Sequence, residues 1–148
     1  MDSLENVKIR ILRKEDLEAI VAIDQKVLGE IRRNYWERKL GGMSSQSSQV
    51  SLVAETEGEV VGFILGDVSG WEFGVPENIG WIDTIGVDPV HQKKGIATAL
   101  AKELIKNLKT IRVKTIYTLV SWNDWTLLQF FHSMGFTRGD MINLELKI

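Results

Sequence analysis

With 148 residues, 44% apolar and 26% charged, the chain has the size and balance of one soluble domain, residues 1–148, that buries its own core. A formal net charge of −2 speaks against a general nucleic-acid binder, which carries a basic excess. Without cysteine there are no disulfides, no thiolate zinc site and no cysteine nucleophile, and His91 and His132 are too few and too far apart to suggest a metal cluster.

The acidic start, Met1 to Asn6, holds no apolar signal core. No apolar run is long enough to span a membrane, so a cytoplasmic protein with no membrane or nucleic-acid partner is expected. Val7 to Arg13 alternates and predicts a strand. Lys14-Glu15-Asp16 opens a helix, with acids in the first turn as the helix dipole favours. Its apolar stripe of Leu17, Ile20, Val21, Ile23 and Val27 is broken only by Asp24, and Gly29 ends it. Ile31 to Leu40 predicts a second, charged helix closed by Gly41-Gly42. Ser44 to Gln49 reads as a short flexible loop. Val50 to Glu55 and Val60 to Val68 predict a hairpin around Thr56-Glu57-Gly58-Glu59. Ser69 to Asn78 is a predicted loop carrying Trp71, Phe73 and Pro76.

Ile79 to Val87 is an apolar strand-like run, ended by Asp88-Pro89 because proline cannot donate to a ladder. After Gly95 an amphipathic helix runs to about Lys109, with Leu100, Leu104 and Leu108 on one stripe. Gln92-Lys93-Lys94-Gly95 therefore delivers the chain into a helix N-terminus. Backbone N–H groups gather there beside the positive end of the helix dipole, which suits a phosphate or diphosphate. Neither a Walker loop nor a dinucleotide Gly-x-Gly-x-x-Gly is present. Thr115 to Val120 predicts a strand, and Asn123 caps a helix from Asp124 to Ser133 that ends at Met134-Gly135. Phe136 and the alternating Met141 to Ile148 finish the sheet. This order of elements predicts an α/β protein with a mixed sheet.

Val87-Asp88-Pro89-Val90-His91-Gln92-Lys93-Lys94-Gly95-Ile96-Ala97-Thr98-Ala99-Leu100 resembles the acyl-coenzyme A loop of the GNAT superfamily of N-acetyltransferases. The element order β-α-α-β-β-β-α-β-α-β, and Asn123 followed by Gly135-Phe136, extend the resemblance along nearly the whole chain. It implies a GNAT-like, mostly antiparallel central sheet flanked by helices, with splayed fourth and fifth strands. It also implies acetyl-CoA as cofactor, a primary amine as acceptor and direct attack in a ternary complex. A homodimer through the last strand or the second helix is a further implication.

The site residues follow from the same resemblance. The backbone of Gln92, Lys93, Lys94, Gly95, Ile96, Ala97 and Thr98 holds the diphosphate, and one of the two lysines is merely solvated. The cofactor arm runs along Ile85, Gly86 and Val87, near Asn123. Gly86 fits a bulge, or else is a small residue under a helix. Asp83, the one acid between Ile79 and Val87, stands where many members carry a general base. The other reading of Asp83 is a structural acid. Phe131 stands where the family often has a tyrosine acid, so either the thiolate leaves unassisted or water or another tyrosine serves, Tyr35 and Tyr117 being the only tyrosines. Phe131 also raises the alternative of an acyl-CoA binding or sensing module with little turnover. Acceptor selection falls to Arg32, Arg33 and Tyr35, and to Trp71, Glu72 and Phe73. Two arginines favour an acidic acceptor, or else solubilise a surface helix. Trp122 and Trp125 are core or line the acceptor groove. An unrelated α/β phosphate-ester binder is the remaining class.

Overall fold

The computed structural model describes residues 4–69 and 78–148; Trp71, Glu72, Phe73 and Pro76 lie outside them. The described chain divides into two compact units, one ending at Thr118 and one running from Leu119 to Ile148. The first contains β1 (Val7–Ile11), α1 (Leu17–Leu28), α2 (Arg33–Gly41), α3 (Ser45–Val50), β2 (Leu52–Thr56), β3 (Glu59–Ser69), β4 (Ile79–Val87), α4 (Ile96–Thr110) and β5 (Thr115–Thr118). The strands form one sheet in the order β1-β2-β3-β4-β5. All neighbours pair antiparallel except β4 and β5, which are parallel. The expected mixed, mostly antiparallel sheet is therefore present.

Successive strand residues point to opposite faces, and each face of β3 meets different helices. Phe63 and Leu65 share one core with Ile20, Val21 and Ile23 of α1 and Trp36 and Leu40 of α2. Trp36 is 1% exposed and meets the Phe63 ring edge-on at 5.3 Å. On the other face, Ile96, Leu100, Leu104 and Leu108 of α4 are buried. Glycines flatten the sheet beneath that helix: a Cβ at Gly66 would come within 2.8 Å of Leu104 Cδ1, and one at Gly80 within 2.9 Å of Leu108 Cδ1. Asp24, the break in the α1 stripe, is buried but forked by Arg32, with Nε–Oδ2 and Nη2–Oδ1 both 2.9 Å. Burial, the largest single influence, pushes its carboxyl up. The paired hydrogen bonds and the charge of Arg32 outweigh it and hold Asp24 below the usual aspartate range.

Four expectations are corrected. Ser44 to Gln49 is not a loop: Ser44 caps α3, accepting from the Ser47 N–H at 3.0 Å, and the Ser47 hydroxyl donates to Asp67 Oδ1 at 2.6 Å. The second unit carries α5 (Trp125–Ser133), whose cap is Asp124 rather than Asn123, with Oδ1 accepting from Leu127 N–H at 3.0 Å. Met141 to Ile148 forms no strand; Ile142, Leu144 and Leu146 are 83%, 86% and 86% exposed. Alternation specifies a face, but a strand also needs a ladder partner. Trp122 and Trp125, 80% and 66% exposed, are not core residues.

Candidate active site

Asp83 lies at a break in the sheet. Leu65 faces Thr84 and Gly66 faces Ile82, so Asp83 has no partner on β3 and is the extra residue of a β-bulge. On the other side the parallel ladder ends at Ile82↔Thr118. From Asp83 to Val87, β4 thus has β3 on one side and no strand on the other among the described residues. The bulge expected at Gly86 is at Asp83 instead. Gly86 pairs regularly with Phe63 and is small for a different reason: a Cβ there would come within 2.8 Å of that ring.

The Asp83 carboxylate is engaged by Lys39 of α2, Nζ to Oδ2. Burial, the largest single influence, pulls the Lys39 ammonium down. The hydrogen bond and charge of Asp83, with smaller contributions from Tyr35 and Asp67, prevail and hold it above the usual lysine value. Tyr35, Arg38 and Lys39 line a cleft of about 350 Å³. Tyr35 stands one helical turn before Arg38 and Lys39, at spacings that put all three on neighbouring positions of α2. The two arginines expected to face an acceptor are committed elsewhere. Arg32 forks Asp24 and stacks 4.4 Å over the Tyr35 ring. Arg33 pairs with Glu18 and Glu37.

After β4, Asp88 ties down the loop. Its carboxylate accepts from the Val90 N–H at 3.1 Å and from Lys26 of α1 at 2.8 Å. The Lys26 hydrogen bond, the largest influence, holds the Asp88 carboxyl below the usual range against partial burial. Gln92 is structural: its amide donates to Pro89 C=O at 3.3 Å and its Nε2 to Val87 C=O at 3.0 Å. The chain then turns through two left-handed residues, Lys93 at φ 64 and Gly95 at φ 86, before α4. The first α4 hydrogen bond is Ala99 N–H to Gly95 C=O at 2.9 Å. Among the described residues no protein acceptor takes the N–H groups of Lys93, Lys94, Gly95, Ile96, Ala97 or Thr98. This row of free donors, with two exposed lysines and the α4 N-terminus, fits an anionic diphosphate. The open edge at Ile85, Gly86 and Val87 fits an extended, amide-bearing arm.

In the second unit, Phe131 is 4% exposed and packs against Phe130 and Phe136 at 5.2 and 5.0 Å. Asn123 is exposed, and its carbonyl accepts from Trp125 N–H at 3.1 Å. Sequence reasoning missed Arg38 and Lys39, because a cation in a charged helix carries no mark of the strand it will meet. Among the described residues no group of His, Asp or Glu is arranged to hold a metal, and no helix is long and apolar enough to cross a membrane.

Residues 11–136 match the model of the acetyltransferase (GNAT) family. Solved structures share the fold at low identity. An aminoglycoside N-acetyltransferase in complex with CoA is similar over 95% of this chain and 94% of its own, with 14% identity and a TM-score of 0.80. A transcriptional regulator from Bacillus halodurans is similar over 96% and 99%, with 18% identity and a TM-score of 0.78. A ribosomal-protein-alanine N-acetyltransferase from Escherichia coli is similar over 90% and 79%, with 20% identity and a TM-score of 0.74.

Proposed function

We propose a function from one premise: the chain belongs to the acetyltransferase (GNAT) family. It moves an acetyl group from acetyl-CoA to a primary amine of a small molecule or protein, with both held together in a ternary complex. The observation that carries this reading is the row of free backbone donors from Lys93 to Thr98 at the left-handed turn into α4. Those amides hold the diphosphate, and Ile85, Gly86 and Val87 receive the arm along the open edge of β4.

Acetyl-CoA supplies an acetyl group activated as a thioester, which passes to the amine nitrogen as the carbon–sulfur bond breaks. An aliphatic amine with a pKa of about 10.4 arrives protonated at neutral pH, so a proton must leave it first. Asp83, out of the ladder on both sides and open to solvent, takes that proton directly or through water. Lys39 pins the Asp83 carboxylate in place. A backbone N–H between Ile85 and Val87 is the fixed donor for charge developing on the thioester oxygen. Phe131 donates no proton, so the thiolate, with an ordinary pKa of about 8.5, is protonated from solvent.

The phenyl ring of Phe131, packed among its neighbours without a hydroxyl, favours a second reading: acyl-CoA binding with little turnover. One experiment separates the two. Calorimetric titration should show saturable acetyl-CoA binding and none of ATP, and thiol release should depend on an added amine. Asp83→Asn should lower kcat/KM on the best amine by about a hundredfold or more and flatten its pH profile. Acetyl-CoA binding without amine-dependent thiol release would establish the binding module. An unchanged rate and profile in Asp83→Asn would remove Asp83 from the chemistry.

A further inference from the structure

Among the described residues, Lys39 is the one lysine whose ammonium meets Asp83. Its side chain is 30% exposed and that of Asp83 38%, so solvent reaches both. The stem of Lys39 lies with Tyr35 and Arg38 in a cleft whose lining is almost wholly apolar, while its head pairs with the carboxylate. Asp67 and Tyr35 act on the ammonium more weakly than Asp83 does. The nitrogen of an acceptor must sit within hydrogen-bond distance of the base that takes its proton, directly or through one water. The nitrogen found in that place is Lys39 Nζ.

We propose that Lys39 is the protein's own acceptor: when acetyl-CoA is bound and no other amine is present, the acetyl group passes to Lys39 Nζ with Asp83 as the base. The proposal rests on the acetyl-transfer reading and adds a modification site to it. Lys39 starts as an ammonium and ends as an amide N–H, so two protons leave its nitrogen. Asp83 takes the first and passes it to solvent. The freed lone pair attacks the thioester carbon, the nitrogen–carbon bond forms and the carbon–sulfur bond breaks. The second proton goes through solvent to the departing thiolate. The edge that receives the cofactor arm begins at Ile85, two strand residues beyond Asp83 and about 7 Å along β4. The flexible four-carbon stem of Lys39 covers that span by rotation. Because Asp83 and Asp67 both favour the charged ammonium, the free amine is scarce and the step is slow. Once acetylated, Lys39 carries no charge and its ion pair with Asp83 is lost.

The test uses the unaltered full chain with acetyl-CoA and no added amine. Intact-mass spectrometry should show one acetyl group gained per chain, and peptide mapping should place it on Lys39. Its rate should exceed that of Lys106, whose side chain is 74% exposed, by about tenfold or more. The rate should not change on dilution of the protein, as expected of a transfer within one chain. The advantage over Lys106 should vanish in unfolding urea. Asp83→Asn, checked for a cooperative urea transition, should bring Lys39 down to the level of Lys106. Lys39→Arg, which keeps a cation beside Asp83, should abolish the mapped acetyl group without moving it to another lysine.

A Lys39 rate equal to that of Lys106, one that rises in proportion to protein concentration, or one unchanged in Asp83→Asn overturns the proposal. Thiol release that depends on an added amine, with Lys39 left unmodified when that amine is omitted, removes self-acetylation and keeps transfer to an outside acceptor. Acetyl-CoA binding with neither thiol release nor an acetyl group on Lys39 ends both.

Discussion

The turn into α4 sets two substitutions of opposite sign side by side. Gly95, the N-cap of α4, has φ 86 and ψ 7. A Cβ there would meet only the Leu4 side chain, at 3.5 Å, which is ordinary contact. Replacement by alanine therefore costs conformation and not space. The left-handed region costs an L-residue about 1–2 kcal/mol, and the stiffer unfolded chain returns up to about 1 kcal/mol. A net loss of about 1 kcal/mol is expected for Gly95→Ala. Lys93, at φ 64, already bears that strain, so Lys93→Gly should gain up to about 1 kcal/mol. Urea unfolding resolves both, and in a chain of this size each kcal/mol moves Tm by about 2–4 °C. Calorimetry with CoA gives the functional half of the experiment. If the backbone grips the diphosphate, Gly95→Ala weakens CoA more than Lys93→Gly, which removes one exposed ammonium worth about 0.3–1 kcal/mol at a helix end. The reverse order would assign the diphosphate to the lysine side chains and refute the argument from free amides. A Gly95→Ala protein as stable as the parent would refute the conformational premise itself.

Two further outcomes test the surroundings of the site. Gly86→Ala drives a Cβ to within 2.8 Å of the Phe63 ring, which is 2% exposed and backed by Trp36, so overpacking should cost about 1–3 kcal/mol. Thermal unfolding measures it, with Gly139→Ala, where a Cβ meets nothing within 4 Å, as the neutral control; matched losses would show that the ring yields. The Asp88–Lys26 pair makes an acid-sensitive contribution. Because the folded Asp88 carboxyl lies below its unfolded value of about 3.9, its stabilisation is present above that pH and is lost as pH falls through the folded value. Lys26 is 53% exposed, so Lys26→Met should cost about 1 kcal/mol or less near neutrality. In urea unfolding the gap between parent and variant should narrow below about pH 3.9, and a gap that stays constant to the acid limit of folding would contradict the linkage.

Features set by local chemistry could be read directly from the residues. Ile79–Val87 is a strand over the predicted range because Asp88-Pro89 stops it, and α4 starts after Gly95 because the chain must turn left-handed there. Features set by distant partners could not. Ser44 to Gln49 is all serine and glutamine, and its helix is held to the sheet by the hydrogen bond from Ser47 to Asp67 in a later strand. Asn123 and Asp124 are adjacent and equally able to cap, and only the backbone path selects Asp124. Arg32 and Arg33 looked free because Asp24 and Glu18, which hold them, lie on the preceding helix.

Asp83 joins the two kinds of information. Its type and place in an apolar strand marked it for attention, but its exemption from the ladder depends on how β3 and β4 count against each other. Had the register run unbroken past Thr84, Asp83 would have faced Gly66 as an ordinary pleated residue. The extra residue re-aims it just where β5 stops, and the helix that closes over the Trp36–Phe63 core brings Lys39 to it. The open edge of β4 begins at this carboxylate, and Lys39, which lines the α2 cleft, pairs with it. The sheet leaves that carboxylate out of the ladder because the pairing of β3 with β4 is interrupted at that residue and nowhere else along β4.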